Sequence, residues 1–352
     1  MAEYIFATIP ANIPTKRGPF LRQHTEEILL FRWIIKLLVC LHAGAFCGAA
    51  VAADVYPSRP IRLVLGVGTG GVGDLTMRLF AQYMSKGLGQ QIVVDNRPGA
   101  GGALAAAAVI NAAPDGYTLL QAGNAAAISV SLFKKPTFDP LRDFIPVSTN
   151  GFFQMGVIAT PQSGFNTLAD MVAFAKKNPR KLNIGTINIG STQFLAVELF
   201  KSMAGIEVQT VPFKSNTALI TSLRANELSV SFELLGPVLS QIKAGVFRTL
   251  AVASDRRFAG LPDVPTIIEA GLPGYNVTSW TGFGVPAKTP DAIVNRLAKE
   301  AIAAAAVPEV RQTLQEMGIE ARSLSAPETR KLMASEIARW KQVIEQAKIE
   351  RQ

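Results

Sequence analysis

The sequence predicts an α/β fold built as two domains. Short apolar runs alternate with segments of helical period, the pattern of strands linked by helices in largely parallel sheets. Apolar residues make up 49% of the chain and charged residues 17%, a globular composition. The length of 352 residues exceeds what one hydrophobic core usually fills, so two lobes are expected.

The first segment reads as a leader rather than as part of the fold. Arg32 and Lys36 flank an apolar start, residues 37–53 carry no charge, and Ala50-Val51-Ala52 supplies an A-x-A cleavage site. The run is too short and too rich in Ala and Gly for a membrane span. Phe46 and Val39 stand where a lipobox would need a small residue before Cys47 or Cys40. Residues 1–52 are therefore expected to be an N-terminal extension with a signal peptide, removed on export to the periplasm. The chain's two cysteines and two histidines, Cys40, Cys47, His24 and His42, all lie in this segment. Its removal excludes Cys and His nucleophiles, Ser-His-Asp triads and the usual zinc sites from the remainder. The formal net charge is +9, but the basic residues are scattered singly or in pairs, so a nucleic-acid surface is not expected.

The elements follow in order. Ile61–Leu65 is a strand, 75–85 a helix, 92–94 a strand, and 103–113 a helix stopped by Pro114-Asp115-Gly116. Strands at 117–121 and Met155–Ala159 precede a helix over Leu168–Lys177, ended by Asn178-Pro179. Strands at 182–185 and 208–211 bracket a helix at 192–203, with Gly205 as its stop. A helix at 218–224, a strand at 228–232, a helix at 238–243 and a strand at 249–253 continue the alternation. A Pro- and Gly-rich stretch then leads into an extended run, 277–285, which suggests a crossover between lobes. The rest is helical: Pro290 and Pro308 open two helices, and Ser325 with Glu328 forms a capping box for a last one. On that helix Met333, Ile337, Trp340, Ile344 and Ala347 repeat at helical spacing, a core-facing stripe.

One motif carries chemistry. The run Gly66-Val67-Gly68-Thr69-Gly70-Gly71-Val72-Gly73-Asp74 joins a strand to a helix, where backbone amides can approach an anion. It also satisfies G-x-G-x-x-G, with Asp95 placed as a ribose-binding acid would be, so an exported NAD(P)-dependent oxidoreductase is one alternative.

Several ordered segments together resemble the Bug family, the periplasmic solute receptors of tripartite tricarboxylate transporters. They are Tyr56 to Arg62; the run Val94-Asp95-Asn96-Arg97-Pro98-Gly99-Ala100-Gly101-Gly102; Ala113 to Leu120; Asp139 to Pro146; Val211-Pro212-Phe213-Lys214; Leu261 to Thr266; and Glu269 to Gly274. The resemblance implies a type II-like periplasmic binding protein fold, with two α/β lobes and a ligand cleft between them. Lobe 1 would be 54–155 plus 278–352, and lobe 2 would be 156–277. It further implies a monomeric receptor, not an enzyme, with no cofactor and no metal. Such a receptor captures a small organic carboxylate and delivers it to membrane permease subunits. A periplasmic sensor for a two-component system is the remaining alternative.

Carried over residue by residue, the resemblance implies a ligand site of Thr69, Gly70, Gly71, Gly73 and Asp74 in the glycine loop, with Asp74 more readily an N-cap than a contact. Gly123, Asn124 and Ala125 follow the third strand. From the second lobe come Thr186, Asn188, Ser191 and Thr192, where Ser191 and Thr192 can equally cap their helix, and Glu233. The chain departs from the family pattern in two places. Gly66 to Gly71 replaces a stiffer Pro- and Phe-containing loop, and Phe194 replaces a histidine. A carboxylate with a sizeable apolar body is expected on that basis.

Overall fold

The computed structural model describes residues 56–99 and 102–352. The leader expected at 1–52 and the pair Ala100 and Gly101 lie outside them. The strands are β1 (Ile61–Leu65), β2 (Ile92–Asn96), β3 (Thr118–Gly123), β4 (Phe144–Phe153), β5 (Met155–Ala159), β6 (Asn183–Ile187), β7 (Gln209–Phe213), β8 (Val230–Leu234), β9 (Arg248–Val252), β10 (Ser279–Pro286) and β11 (Ile319–Ala321). The helices are α1 (Val72–Leu88), α2 (Ala103–Ile110), α3 (Asn124–Leu132), α4 (Leu168–Lys177), α5 (Thr192–Ala204), α6 (Asn216–Arg224), α7 (Leu239–Lys243), α8 (Asp291–Ala306), α9 (Pro308–Glu316) and α10 (Ala326–Gln346).

They form two sheets. Six strands in the order β11-β4-β10-β3-β1-β2 make the first, and five in the order β7-β6-β8-β5-β9 make the second. Neither is mostly parallel. β1 runs parallel to β2 and β3, but β10 is antiparallel to β3 and β4, and β11 to β4. In the second sheet β6 runs parallel to β7 and β8, whereas β5 is antiparallel to β8 and β9. The chain passes from one sheet to the other at Gln154, the one residue between β4 and β5, and returns into β10. Strands that carry the chain across need not follow the right-handed helix connection that makes βαβ units parallel.

β4 and α3 were not expected from the sequence. β4 holds Ser148, Thr149 and Asn150, all fully buried, which hides it from a search for alternating apolar residues. Its hydroxyls bind the chain that leads into α10: Ser148 Oγ donates to the Leu324 carbonyl (2.8 Å) and Thr149 Oγ1 to that of Arg322 (2.8 Å), while the Leu324 amide donates to Thr149 Oγ1 (3.0 Å). α3 buries Ala127, Ile128, Ser129, Ser131 and Leu132, so it shows no polar face.

Two apolar clusters hold these elements. Met77, Phe80 and Met84 of α1 meet Ile61, Leu63 and Leu65 of β1 and Val294, Leu297 and Ala301 of α8. Full burial of each such side chain is worth about 1.5–3 kcal/mol. On α10, Met333, Trp340 and Ile344 are buried, and they share one cluster with Ile128 and Leu132 of α3 and with Leu195 and Phe200 of α5. The stripe thus joins a helix beside the first sheet to a helix beside the second.

Candidate functional site

A cavity of about 520 Å³ opens at the carboxyl ends of β1 and β3. This is within the range of roughly 300–1,000 Å³ found for small-molecule sites. Both sheets contribute to its wall. Val67, Gly73, Asn124, Phe138, Phe153, Trp280 and Thr281 come from the first, and Asn216, Leu234 and Pro237 from the second. Among the described residues no Lys, Arg, Asp or Glu lines it.

What replaces a charged side chain is helix geometry. α1 starts at Val72, α2 follows its cap Gly102, α3 starts at Asn124 after its cap Gly123, and α6 starts at Asn216. All of these starting residues or caps are on the cavity wall. The first-turn amides of a helix have no acceptor within the helix, and the helix dipole places about half a positive charge there. Convergence of several such ends on a largely apolar cavity creates a site for an anion.

The glycine loop is fixed from behind by Asp74. Its N-cap is Gly71, so Asp74 is not the cap; it lies in the first turn of α1 with its side chain 1% exposed. Its carboxylate accepts from the Gly70 amide (2.9 Å), Arg78 Nε (2.9 Å) and Asn96 Nδ2 (2.8 Å). Burial by itself would push this carboxyl up, and those three donors outweigh it and hold the group below the ordinary range. Thr69, Gly70 and Gly71 are exposed and off the wall, whereas Gly73 lies on it. Asp95 is bound by Arg62 and Arg97. The Arg62 guanidinium is the main cause of its depressed pKa. Its Oδ2 is thereby engaged, which weakens the dinucleotide reading's use of this acid for a ribose.

Gly123, Asn124 and Ala125 all reach the wall. A Cβ at Gly123 would lie 2.4 Å from the Trp280 carbonyl oxygen, so only glycine lets β3 end against β10 here. The Asn124 amide is engaged at both ends: Nδ2 donates to Thr192 Oγ1 (2.9 Å), and Oδ1 accepts from Trp340 Nε1 (2.9 Å). Asn124 therefore joins α3, α5 and α10.

The other residues expected from the second sheet do not line the wall. Ser191 caps α5, accepting from the Phe194 amide (3.0 Å) and donating to the Ile187 carbonyl (2.7 Å). Thr186 is buried and donates to the Ile187 carbonyl (3.1 Å), and Asn188 is exposed. Glu233 is wholly buried. Its Oε1 accepts from Gln193 Nε2 (3.1 Å) and the Leu234 amide (2.6 Å), and its Oε2 has no partner. Burial pushes this carboxyl up, against hydrogen bonds from Gln193 and the Leu234 amide. Phe194 packs against the core and borders a separate hollow near the C-terminus, so it is not part of this wall.

Asn216, Leu234, Pro237, Trp280 and Thr281 were not anticipated. Asn216 could have been found, because Ser215 and Asn216 form a helix-start signal directly after the quoted run ending at Lys214. No such local signal marks Leu234 or Trp280, which reach the wall only because β8 and β10 are brought together.

The sequence profile of the tripartite tricarboxylate transporter family receptor, TctC, matches residues 76–349. Protein BugT of Bordetella pertussis is 32% identical over 307 residues, 86% of this chain and 93% of that protein. Among solved structures, Rpa4515 of R. palustris with adipate is similar at a TM-score of 0.73 and 33% identity, covering 84% of this chain and 99% of that one. MatC from Rhodopseudomonas palustris with bound malate has a TM-score of 0.69 at 29% identity, covering 82% and 100%. The periplasmic binding protein BugD is similar at 0.71 and 29%, covering 84% and 100%. The two-sheet α/β architecture is that of these binding proteins. The chain belongs to the tripartite tricarboxylate transporter receptor family, whose members are solute-binding receptors.

Proposed function

We propose that this receptor binds a small dicarboxylate in the cavity between its sheets, is exported by removal of residues 1–52, and acts as a monomer that presents its closed form to membrane permease subunits. The observation that carries the ligand class is the meeting of the α1, α2, α3 and α6 starts at a cavity without a charged side chain. Amides at helix starts on the wall favour a carboxylate over a cation, and exclusion of water on closure strengthens each hydrogen bond. Gly73, Gly123 and Ala125 supply backbone, and Asn216 and Thr281 supply side chains. Asn124 and Thr192 position the helices, and Asp74 sets the glycine loop. Phe138, Phe153 and Trp280 give the ligand's carbon chain an apolar wall, the role expected of Phe194. Adipate and malate, bound by relatives, are the first ligands to try.

Catalysis is not part of this reading: members of the family are binding proteins, and among the described residues only the hydroxyls of Ser279 and Thr281 reach the cavity wall as possible nucleophiles. Nor do those residues contain a group of three or more His, Cys, Asp or Glu able to hold a metal ion.

The test is fluorescence titration of the purified protein lacking residues 1–52, with Trp280 as the reporter in the wall. Adipate or malate should change its emission saturably, and Trp280→Phe should abolish the change while calorimetry still detects binding. Absence of any heat or emission change with a panel of mono-, di- and tricarboxylates would overturn the proposal.

A further inference from the structure

We propose a second anion site, for a hydrogen phosphate dianion, in a cavity of about 340 Å³ beside the crossover between the sheets. It is separate from the carboxylate cavity and independent of the reading given to it. The lining carries Arg256, Arg257 and Arg311 against one acid, Glu320, so its side chains leave two positive charges in excess. Two further groups nearby cancel: Glu269 pairs with Arg257, and Arg322 stands 4.0 Å from Glu320 with its Nε–H unpartnered.

The arginines have donors to give. Arg256 is paired through Nη2 with Glu320, Arg257 binds Glu269 through Nε and the Pro262 carbonyl through Nη1, and Arg311 uses Nε on the Ala305 carbonyl. Each guanidinium has five N–H donors, and these contacts use one or two. Planar forks of this kind suit the oxygens of phosphate.

Gln154 sharpens the assignment. It is 2% exposed and lines this cavity, its backbone is tied to both lobes, and its side-chain Oε1 has no partner. The Gln154 amide donates to the Gly318 carbonyl (3.0 Å), and its carbonyl accepts from the Leu235 amide (2.8 Å). A buried unpartnered acceptor calls for a donor. Monohydrogen phosphate provides acceptor oxygens for the arginines and one O–H for Gln154, and above its second pKa, which lies near neutrality, it carries two negative charges. Sulfate has the charge but no O–H at neutral pH. Arg256 and Arg257 follow β9 of the second sheet, while Arg311 and Glu320 belong to α9 and β11 beside the first. The dianion thus bridges the lobes. Phe153 lines the carboxylate cavity and Gln154 this one, so successive residues of the crossing chain serve the two sites.

Calorimetric titration of the protein lacking residues 1–52 with inorganic phosphate and with sulfate at pH 7.5 tests this. Saturable phosphate binding is expected, about tenfold tighter than sulfate for the loss of one hydrogen bond to a charged group. Arg311→Gln and Arg256→Gln should each weaken phosphate at least tenfold and leave adipate binding in place. A phosphomonoester dianion has no phosphate O–H, so glycerol phosphate should bind more weakly than inorganic phosphate, and tighter binding of it would overturn the Gln154 contact. No saturable phosphate binding, equal affinity in Arg311→Gln, or displacement of phosphate by adipate in competition would overturn the proposal.

Discussion

Asn124 shows how one side chain can serve a site without touching its ligand. Its amide meets Trp340 of α10 and Thr192 of α5, each at 2.9 Å, in a fully enclosed setting. Asn124→Ala leaves the Trp340 indole N–H buried without an acceptor. Such a loss costs about 1–3 kcal/mol for the unsatisfied donor alone, so we expect a clear fall in Tm by calorimetry, in the absence of ligand as well as in its presence. Asn216 differs, because its side chain is open to the cavity. Asn216→Ala should weaken carboxylate binding by about 1.5–3 kcal/mol, tenfold or more, with Tm of the unliganded protein nearly unchanged. Glu233 makes a pH prediction. Its folded pKa is raised, so the stability gained by keeping it protonated is complete below the unfolded value of about 4.3 and is lost as pH rises through the folded value. Glu233→Gln removes that loss, and its Tm relative to wild type should climb between pH 4 and 8. A constant difference across that range would contradict the assignment. Asn124 was reached in the sequence only through the family resemblance, as a position after the third strand. Its engagement with Trp340 was not, since the two are 216 positions apart.

Helices with a polar face and short apolar strands were legible, the fully buried β5 among them, and elements that bury polar side chains were not. α4, with its Thr167–Asp170 capping box, and α10, with its Ser325–Glu328 box, follow from local rules. β4 and α3 escaped those rules because polar side chains inside β4 bind backbone from elsewhere, and because α3 has no solvent face of consequence. The crossover depends on a close approach of two elements. Gly318, at φ +71°, lies against Gly236, and a Cβ there would be 2.6 Å from the Gly236 nitrogen. Gly318→Ala must therefore both strain its own backbone and push β11 from the segment after β8. We expect a destabilisation of at least 1–3 kcal/mol and altered ligand affinity, read by thermal melting and calorimetry.

At the scale of the molecule, the two-sheet plan was predictable from alternating strand and helix signals and from length, but the antiparallel crossing strands were not. They have an architectural consequence. β4, β5 and β10 carry the chain between the sheets beside the cavity, through Gln154 and the segment entering β10. α10 and α3 hold the lobes together on the side of Trp340 through a shared apolar cluster. In the binding mode we propose, the cavity draws on helix starts beside both sheets, which is how a neutral wall can select an anion. Calorimetry comparing adipate with its uncharged diamide on the protein lacking residues 1–52 tests this most directly. The account predicts saturable binding of adipate and binding of the diamide at least a hundredfold weaker, about 2.7 kcal/mol. Equal affinity for the two, or binding of the diamide alone, would contradict it.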